Sequence, residues 1–221
     1  ARSAYFHNSL FGYHAAKLGR VNELLEFHVY ENNMNVLNML NTKYIIAEDQ
    51  GQIFPYTNTE ANGNAWFVSQ LNVVADANKE IVALDSLNTK TTAVLEQTVQ
   101  AEYNLKTSYQ VDSIASIKLK EFKPNHLKYE SNNSNIGLAV FSEVYYAQGW
   151  NAYIDGKLVP HLRVNYVLRA LELPEGNHTI EFKFEPQVVK TGSQVALASS
   201  VLLGLLLLGG LFYEIKRRKN N

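Results

Sequence analysis

Residues 191–213 carry no charged side chain. As a helix, a run of that length crosses a hydrocarbon core about 30 Å thick. Lys216, Arg217, Arg218 and Lys219 follow it directly, and bases gather on the cytoplasmic side of a span. The expected topology is a transmembrane helix over residues 191–213, a basic cytoplasmic tail over 214–221, and everything earlier on the outer side of the membrane. A buried core helix is the alternative, but such helices seldom run so far without a polar face. Gly204, Gly209 and Gly210 would let a second helix approach, although they form no strict small-residue repeat.

An outside region must be translocated, yet the chain opens Ala1-Arg2-Ser3 without the basic-then-apolar pattern of a leader. The expectation is a longer polypeptide whose earlier spans put this segment outside; a mature chain after leader removal is the other reading. Lys+Arg number 20 and Asp+Glu 21, and four of the bases belong to the tail, so the outer part is mildly acidic. No clustered basic face marks a nucleic-acid partner. The absence of cysteine excludes disulfides, thiolate metal sites and cysteine nucleophiles.

Hydrophobic period divides the outer part into an α+β region over residues 1–100 and a β-sandwich over 101–188. Leu18, Val21, Leu25 and His28 recur at helical spacing, a second short helix starts near Asn33, and 42–46 turns strand-like. A loop rich in Pro55, Asn58, Asn62, Gly63 and Asn64 follows. A strand is expected over 65–74, a helix over 76–87 capped by Asp76 or Asn78, and a strand over 92–96. From about residue 104 short strands alternate with turn signals, the pattern of an antiparallel sandwich. Asp155-Gly156 between apolar flanks signals a two-residue hairpin turn, and the run Pro174-Glu175-Gly176-Asn177 a second turn before a strand that buries Ile180, Phe182 and Phe184.

Motifs that carry chemistry are scarce. His7, His14, His28, His126, His161 and His178 form no compact ligand spacing. There is no nucleophile elbow and no phosphate-cradling glycine loop ending in Lys-Ser or Lys-Thr. Glu48-Asp49 reads as a turn after a strand rather than a glycosidase pair. One segment offers more. On a helix, Tyr13, Lys17, Arg20 and Leu24 share a face with His14 beside them, and an ammonium and a guanidinium supply charge-assisted donors to a phosphate. A solvated amphipathic helix, with Lys17 and Arg20 toward lipid headgroups, is the competing reading.

The phrases GYHAAKLGR, NVLNMLNTKYII, GNAWFV, GWNAYIDGK and NYVLRALELPEGNHTIEFKFEP, in this order and ahead of a last span with a basic tail, resemble the C-terminal region of the YfhO family of bacterial membrane proteins. Members are similar to C-type glycosyltransferases, which take sugar from a polyprenyl-phosphate donor at the outer membrane face. The resemblance implies a catalytic carboxylate in an early outer loop, ahead of this sequence, so no catalytic residue is assigned here. It implies as partners membrane lipid, a transmembrane domain earlier in the same polypeptide, and a glycan or cell-wall polymer acceptor. Tyr13, His14, Lys17 and Arg20 become the candidate contacts to donor phosphate or headgroup, with no cofactor on this chain beyond that donor. The rival expectations are a membrane-anchored carbohydrate-binding module that stacks sugars on Trp150, Tyr153 and Tyr166, and a structural envelope subunit.

Overall fold

A strand buried on both faces must have apolar side chains on both, and residues 65–68 and 137–141 of this chain meet that condition. The computed structural model describes residues 5, 7–12 and 16–220, and the fold is α+β. It begins with α1 (Gly19–Leu24), continued by a π turn to Val29, and α2 (Met34–Met39). There follow β1 (Tyr44–Asp49), β2 (Gln52–Thr57), β3 (Ala65–Val68), β4 (Gln70–Val74), α3 (Ala77–Ala83), β5 (Thr92–Glu96) and α4 (Gln97–Tyr103). Next come β6 (Ser116–Lys123), β7 (His126–Asn133), β8 (Gly137–Val144), β9 (Trp150–Ile154), β10 (Lys157–Val159), β11 (Leu162–Val164), β12 (Leu168–Leu173) and β13 (Gly176–Phe184). The chain closes with α5 (Gln187–Lys219).

The central layer is the sheet β11-β12-β8-β3. Its outward residues Trp66, Val68, Leu138, Val140, Leu168 and Ala170 pack with Leu24, Val36, Met39, Leu84 and Leu95 from α1, α2, α3 and the parallel pair β4-β5. Its other face sends Phe67, Ala139, Phe141, Leu171 and Leu173 against Leu127, Tyr129, Ile180 and Phe182 of the antiparallel sheet β10-β9-β13-β7-β6. Double coverage explains why β3 and the first five residues of β8 are apolar without the alternation of a half-exposed strand, whereas β12 also carries the buried Arg169 and the exposed Glu172. At the centre of the sandwich the Phe141 ring meets Tyr129 and Phe182 edge to face, with centroids 5.0 and 4.9 Å apart. Because β3 joins this sheet, the sandwich takes in a strand that lies well ahead of residue 101 in sequence.

Several sequence expectations change in detail. The expected strand over 65–74 is broken at Ser69, where the chain passes from the central sheet to the parallel pair; the apolar run 65–68 gives way to the alternating Gln70-Leu71-Asn72-Val73, a change that a single continuing strand would also show. The expected loop at Pro55 is strand β2, paired with β1 with Pro55 opposite Ile46. A two-stranded hairpin leaves outer edges where a missing N–H costs nothing. This hairpin exposes Tyr44, Ile46, Ile53, Phe54 and Tyr56. The turn at 174–177 joins two different sheets rather than closing a hairpin, since β12 pairs with β8 and β11 while β13 pairs with β7 and β9. Asp76 does cap α3, its side chain accepting from Lys79 N–H at 2.9 Å.

The Asp155-Gly156 turn forms as its chemistry requires. Both residues have positive φ, 50° and 78°, and Ile154 pairs with Lys157 across a two-residue loop. The Asp155 carboxylate also accepts from Thr179 N–H at 2.9 Å and lies 2.7 Å from His178 Nδ1. The His178 hydrogen bond and the Thr179 N–H hold Asp155 below its ordinary value of 3.8, and the Asp155 bond raises His178 above 6.5. A raised imidazole contributes stability that is full below 6.5 and is lost as pH rises through its folded value; the lowered carboxyl contributes above 3.8 and loses it as pH falls. Asp155→Asn keeps a turn-forming residue and the Thr179 acceptor but removes the charge. Denaturation midpoints should change by less than about 1 kcal/mol at neutral pH, as for other exposed pairs, while the decline in stability above pH 6.5 becomes shallower. An unchanged slope would remove this pair from the pH dependence.

Helix α5 spans 33 residues, about 50 Å at 1.5 Å per residue, with an apolar window of mean hydropathy 2.4 and no part of that window covered by the rest of the chain. Pro186, at its N-cap, suits a helix start where the N–H needs no partner. Glu185 and Pro186 alone separate β13 from α5, so the sandwich sits about one helical turn from the uncharged run.

Candidate functional site

The basic segment ahead of α1 is the place where sequence pattern suggests phosphate chemistry. Tyr13 and His14 lie outside the described residues. Lys17 is exposed and makes no hydrogen bond or ion pair among the described residues. The helix begins at Gly19, after Leu18 in extended conformation, so Lys17 and Arg20 do not share a helical face. Lys17 stands at the surface ahead of the helix, and Arg20 turns inward.

Arg20 donates through Nη1 to Glu80 Oε2 at 2.9 Å and through Nη2 to Glu96 Oε1 at 2.6 Å. Arg163 of β11 donates to the same Glu96 oxygen at 3.1 Å. The Arg20 guanidinium lies 4.5 Å from the centroid of the Tyr166 ring, whose hydroxyl bonds Glu23 of α1. Glu80 is 1 % exposed, and its other oxygen accepts the Tyr166 N–H at 3.0 Å. Two guanidinium groups, three carboxylates and one phenol thus join α1, α3, β5 and the turn after β11. Burial drives the Glu80 carboxyl above its ordinary value, against the pull of the Tyr166 N–H and Arg20. Burial and the Glu23 bond push the Tyr166 phenol up to about 12, so it remains a donor at neutral pH.

Tyr166 is held under constraint. Val167 N–H donates to Asn165 C=O at 2.8 Å, closing a three-residue turn whose centre, Tyr166, has φ 71°. Positive φ in a bulky residue is disfavoured and persists where surroundings over-determine it. Buried Asn165 provides that anchoring: its Oδ1 accepts Val94 N–H at 2.9 Å, and its own N–H donates to Val94 C=O at 2.8 Å. Sequence reasoning missed this node. Its one local sign is Glu80 on the same helical face as Ala77, Ile81 and Leu84, an acid on an apolar stripe that demands a buried partner.

The aromatic platform of the carbohydrate-binding alternative is not assembled. Tyr166 is 5 % exposed beneath Arg20. The Trp150 ring packs on Phe184 and has the buried Arg169 guanidinium 4.2 Å from its centroid. Tyr153 lies on the outer face of the five-stranded sheet, bonded to Glu185 at 2.7 Å with Lys183 over its ring. Among the described residues no group of three or more His, Asp or Glu side chains is placed to hold a metal ion.

No curated protein and no solved structure matches the chain. The family model of the bacterial membrane protein YfhO matches residues 67–196, from β3 through both sheets into the first turns of α5. GWNAYIDGK and NYVLRALELPEGNHTIEFKFEP fall inside the match, whereas GYHAAKLGR and NVLNMLNTKYII precede it. Since the match covers more than half of the 221 residues, and a helix apolar enough to cross a membrane ends the chain, this protein belongs to the YfhO family of bacterial membrane proteins.

Proposed function

We propose that this chain is the outer-face and last-span part of a glycosyltransferase-like membrane protein that uses a polyprenyl-phosphate-linked sugar to glycosylate a cell-envelope polymer, with its catalytic carboxylate in an earlier part of the same polypeptide. The observation that carries this reading is the continuity of the family match from the central sheet into the apolar helix. The matched stretch runs from the central sheet into the start of α5, and a two-residue connection keeps the sandwich close to the membrane. In this role the domain covers the membrane-embedded site and shapes the approach of the acceptor. Lys17 meets the donor phosphate or a lipid headgroup, the role the family resemblance also implies for Tyr13 and His14. Arg20 fixes the helix that follows, so that Lys17 is presented at a set height above the bilayer.

The test is transfer by the complete protein reconstituted with a defined polyprenyl-phosphate sugar and a cell-wall polymer acceptor. Lys17→Gln should raise the donor requirement about ten- to hundredfold, the worth of one charge-assisted hydrogen bond of roughly 1.5–3 kcal/mol, while Lys79→Gln on the exposed face of α3 leaves it unchanged. Wild-type donor dependence in Lys17→Gln would return this segment to a solvated face. Absence of transfer with any polyprenyl-linked hexose would favour a structural or carbohydrate-binding module.

A further inference from the structure

Away from the Arg20 cluster, helix α2 and two loops form a cleft of about 320 Å³ lined only by polar residues. Asn35 and Asn38 come from one face of α2, three residues apart. Glu60 and Asn62 come from the loop between β2 and β3, and Asn88 and Lys90 from the loop between α3 and β5. The floor is Thr89, 2 % exposed, whose hydroxyl donates to Asn35 C=O at 3.0 Å and whose carbonyl accepts the Trp66 indole N–H at 2.9 Å.

Three of the asparagine amides are fixed at one end and left unused at the other. Asn38 Oδ1 accepts from Asn58 at 2.8 Å, Asn62 Nδ2 donates to Thr89 Oγ1 at 3.1 Å, and Asn88 Oδ1 accepts Lys90 N–H at 3.2 Å. That leaves Asn38 Nδ2, Asn62 Oδ1 and Asn88 Nδ2 without a partner among the described residues, together with the Asn35 amide, the Glu60 carboxylate and the Lys90 ammonium. Anchored amides cannot flip, so much of the ordering cost of binding is already met. The free groups mix donors with acceptors, which suits hydroxyls, since each hydroxyl both donates and accepts. A carboxylate can accept from two neighbouring hydroxyls. One acid and one base leave the cleft without net charge, and Glu60 opposes a phosphate or an acidic group.

We propose that this cleft binds the hydroxyl face of a neutral sugar. Its volume is at the lower end for small-molecule sites and fits one residue of a glycan better than a long segment. That this sugar belongs to the acceptor polymer rests on the transferase reading; the binding itself does not. The absence of an aromatic platform makes the site weak and selective for hydroxyl arrangement.

The experiment uses the full chain in detergent, with asparagine side chains labelled with nitrogen-15, titrated with glucose, galactose, N-acetylglucosamine and inorganic phosphate. At least one sugar should shift the side-chain amides of Asn35, Asn38, Asn62 and Asn88 saturably, and phosphate should not. Asn35→Ala and Glu60→Gln remove no side-chain bond within the fold and should each weaken binding about five- to tenfold, the worth of one hydrogen bond. Ser86→Ala, at the cleft margin, is the third variant should either of these misfold. Shifts no larger than those of Asn220 in the tail, phosphate binding in place of sugar, or wild-type affinity in the variants would overturn the proposal. Sugar binding without transfer by the complete protein would overturn the transferase reading alone, and transfer without sugar binding would overturn the cleft alone.

Discussion

Arg20→Met should destabilise the folded chain by about 3–5 kcal/mol, the cost of breaking a buried ion pair from one side. The reason is Glu80 rather than Arg20. Glu80 is 1 % exposed, and without the guanidinium its carboxylate keeps a single backbone N–H, that of Tyr166. Glu80→Gln should cost much less, because a neutral amide oxygen still accepts that N–H and Arg20 retains Glu96. The double variant Arg20→Met/Glu80→Gln should recover most of the loss, giving a large coupling energy in a double-mutant cycle. The pH dependence has a definite sign. Burial raises the folded Glu80 value above 4.5, so the native state disfavours the charged form; this penalty is absent below 4.5 and sets in as pH rises through the folded value. The deficit of Arg20→Met should therefore shrink as pH falls toward 4.5, where Glu80 takes up a proton. A deficit that is independent of pH, or additivity in the cycle, would mean that Arg20 acts through packing on Tyr166 instead.

Phe141→Ala should cost about 3–5 kcal/mol, the usual range for emptying a fully buried aromatic site, a large share of the 5–15 kcal/mol that holds a typical domain together. Phe141 is completely buried in the sandwich, where Tyr129 and Phe182 contact its ring on two sides and cannot collapse into the space without leaving their own strands. The cavity lies on one face of the central sheet, while the other face carries the N-terminal layer. Two tryptophans report separately, Trp66 on the N-terminal side and Trp150 against the sandwich core. In Trp66→Phe and Trp150→Phe backgrounds, Phe141→Ala should move the unfolding midpoint of both probes by the same amount, because β3, β8 and β12 belong to both cores. A shift at Trp150 with none at Trp66 would show that the two layers unfold independently.

What could be read from the sequence is local in origin. Asp155-Gly156 specifies its turn through backbone preference, Asp76 its cap through one side-chain oxygen, and residues 92–96 their strand through the apolar centre Ala93-Val94-Leu95. The long apolar helix over 191–213 needs nothing beyond length and the absence of charge. The remainder depends on pairings across long intervals. Arg20 finds Glu80 and Glu96 at separations of 60 and 76 residues, and nothing in the segment GYHAAKLGR distinguishes an arginine aimed at phosphate from one aimed at carboxylates. Ser69 marks the passage between two sheets, yet the segments on either side both read as strand, and nothing local shows that they pair in different sheets. The asparagine cleft is drawn from helix α2 and two loops, and the loop residues read separately as ordinary turn formers. Lys17 stands apart from Arg20 because the helix starts at Gly19, a boundary that an apolar period alone leaves open by several residues.

The central claim is that the layered unit stands on the outer face of the membrane, held there by α5 with the basic tail inside. A pair of reporters fused after Asn221, one active only in the cytoplasm and one only outside it, tests this most directly in the complete protein. Lys216, Arg217, Arg218 and Lys219 directly after the span favour the inner side, so the cytoplasmic reporter should be active and the external one silent. An active external reporter would put the tail outside and the sandwich in the cytoplasm, away from the acceptor polymers of the envelope, and would contradict the account.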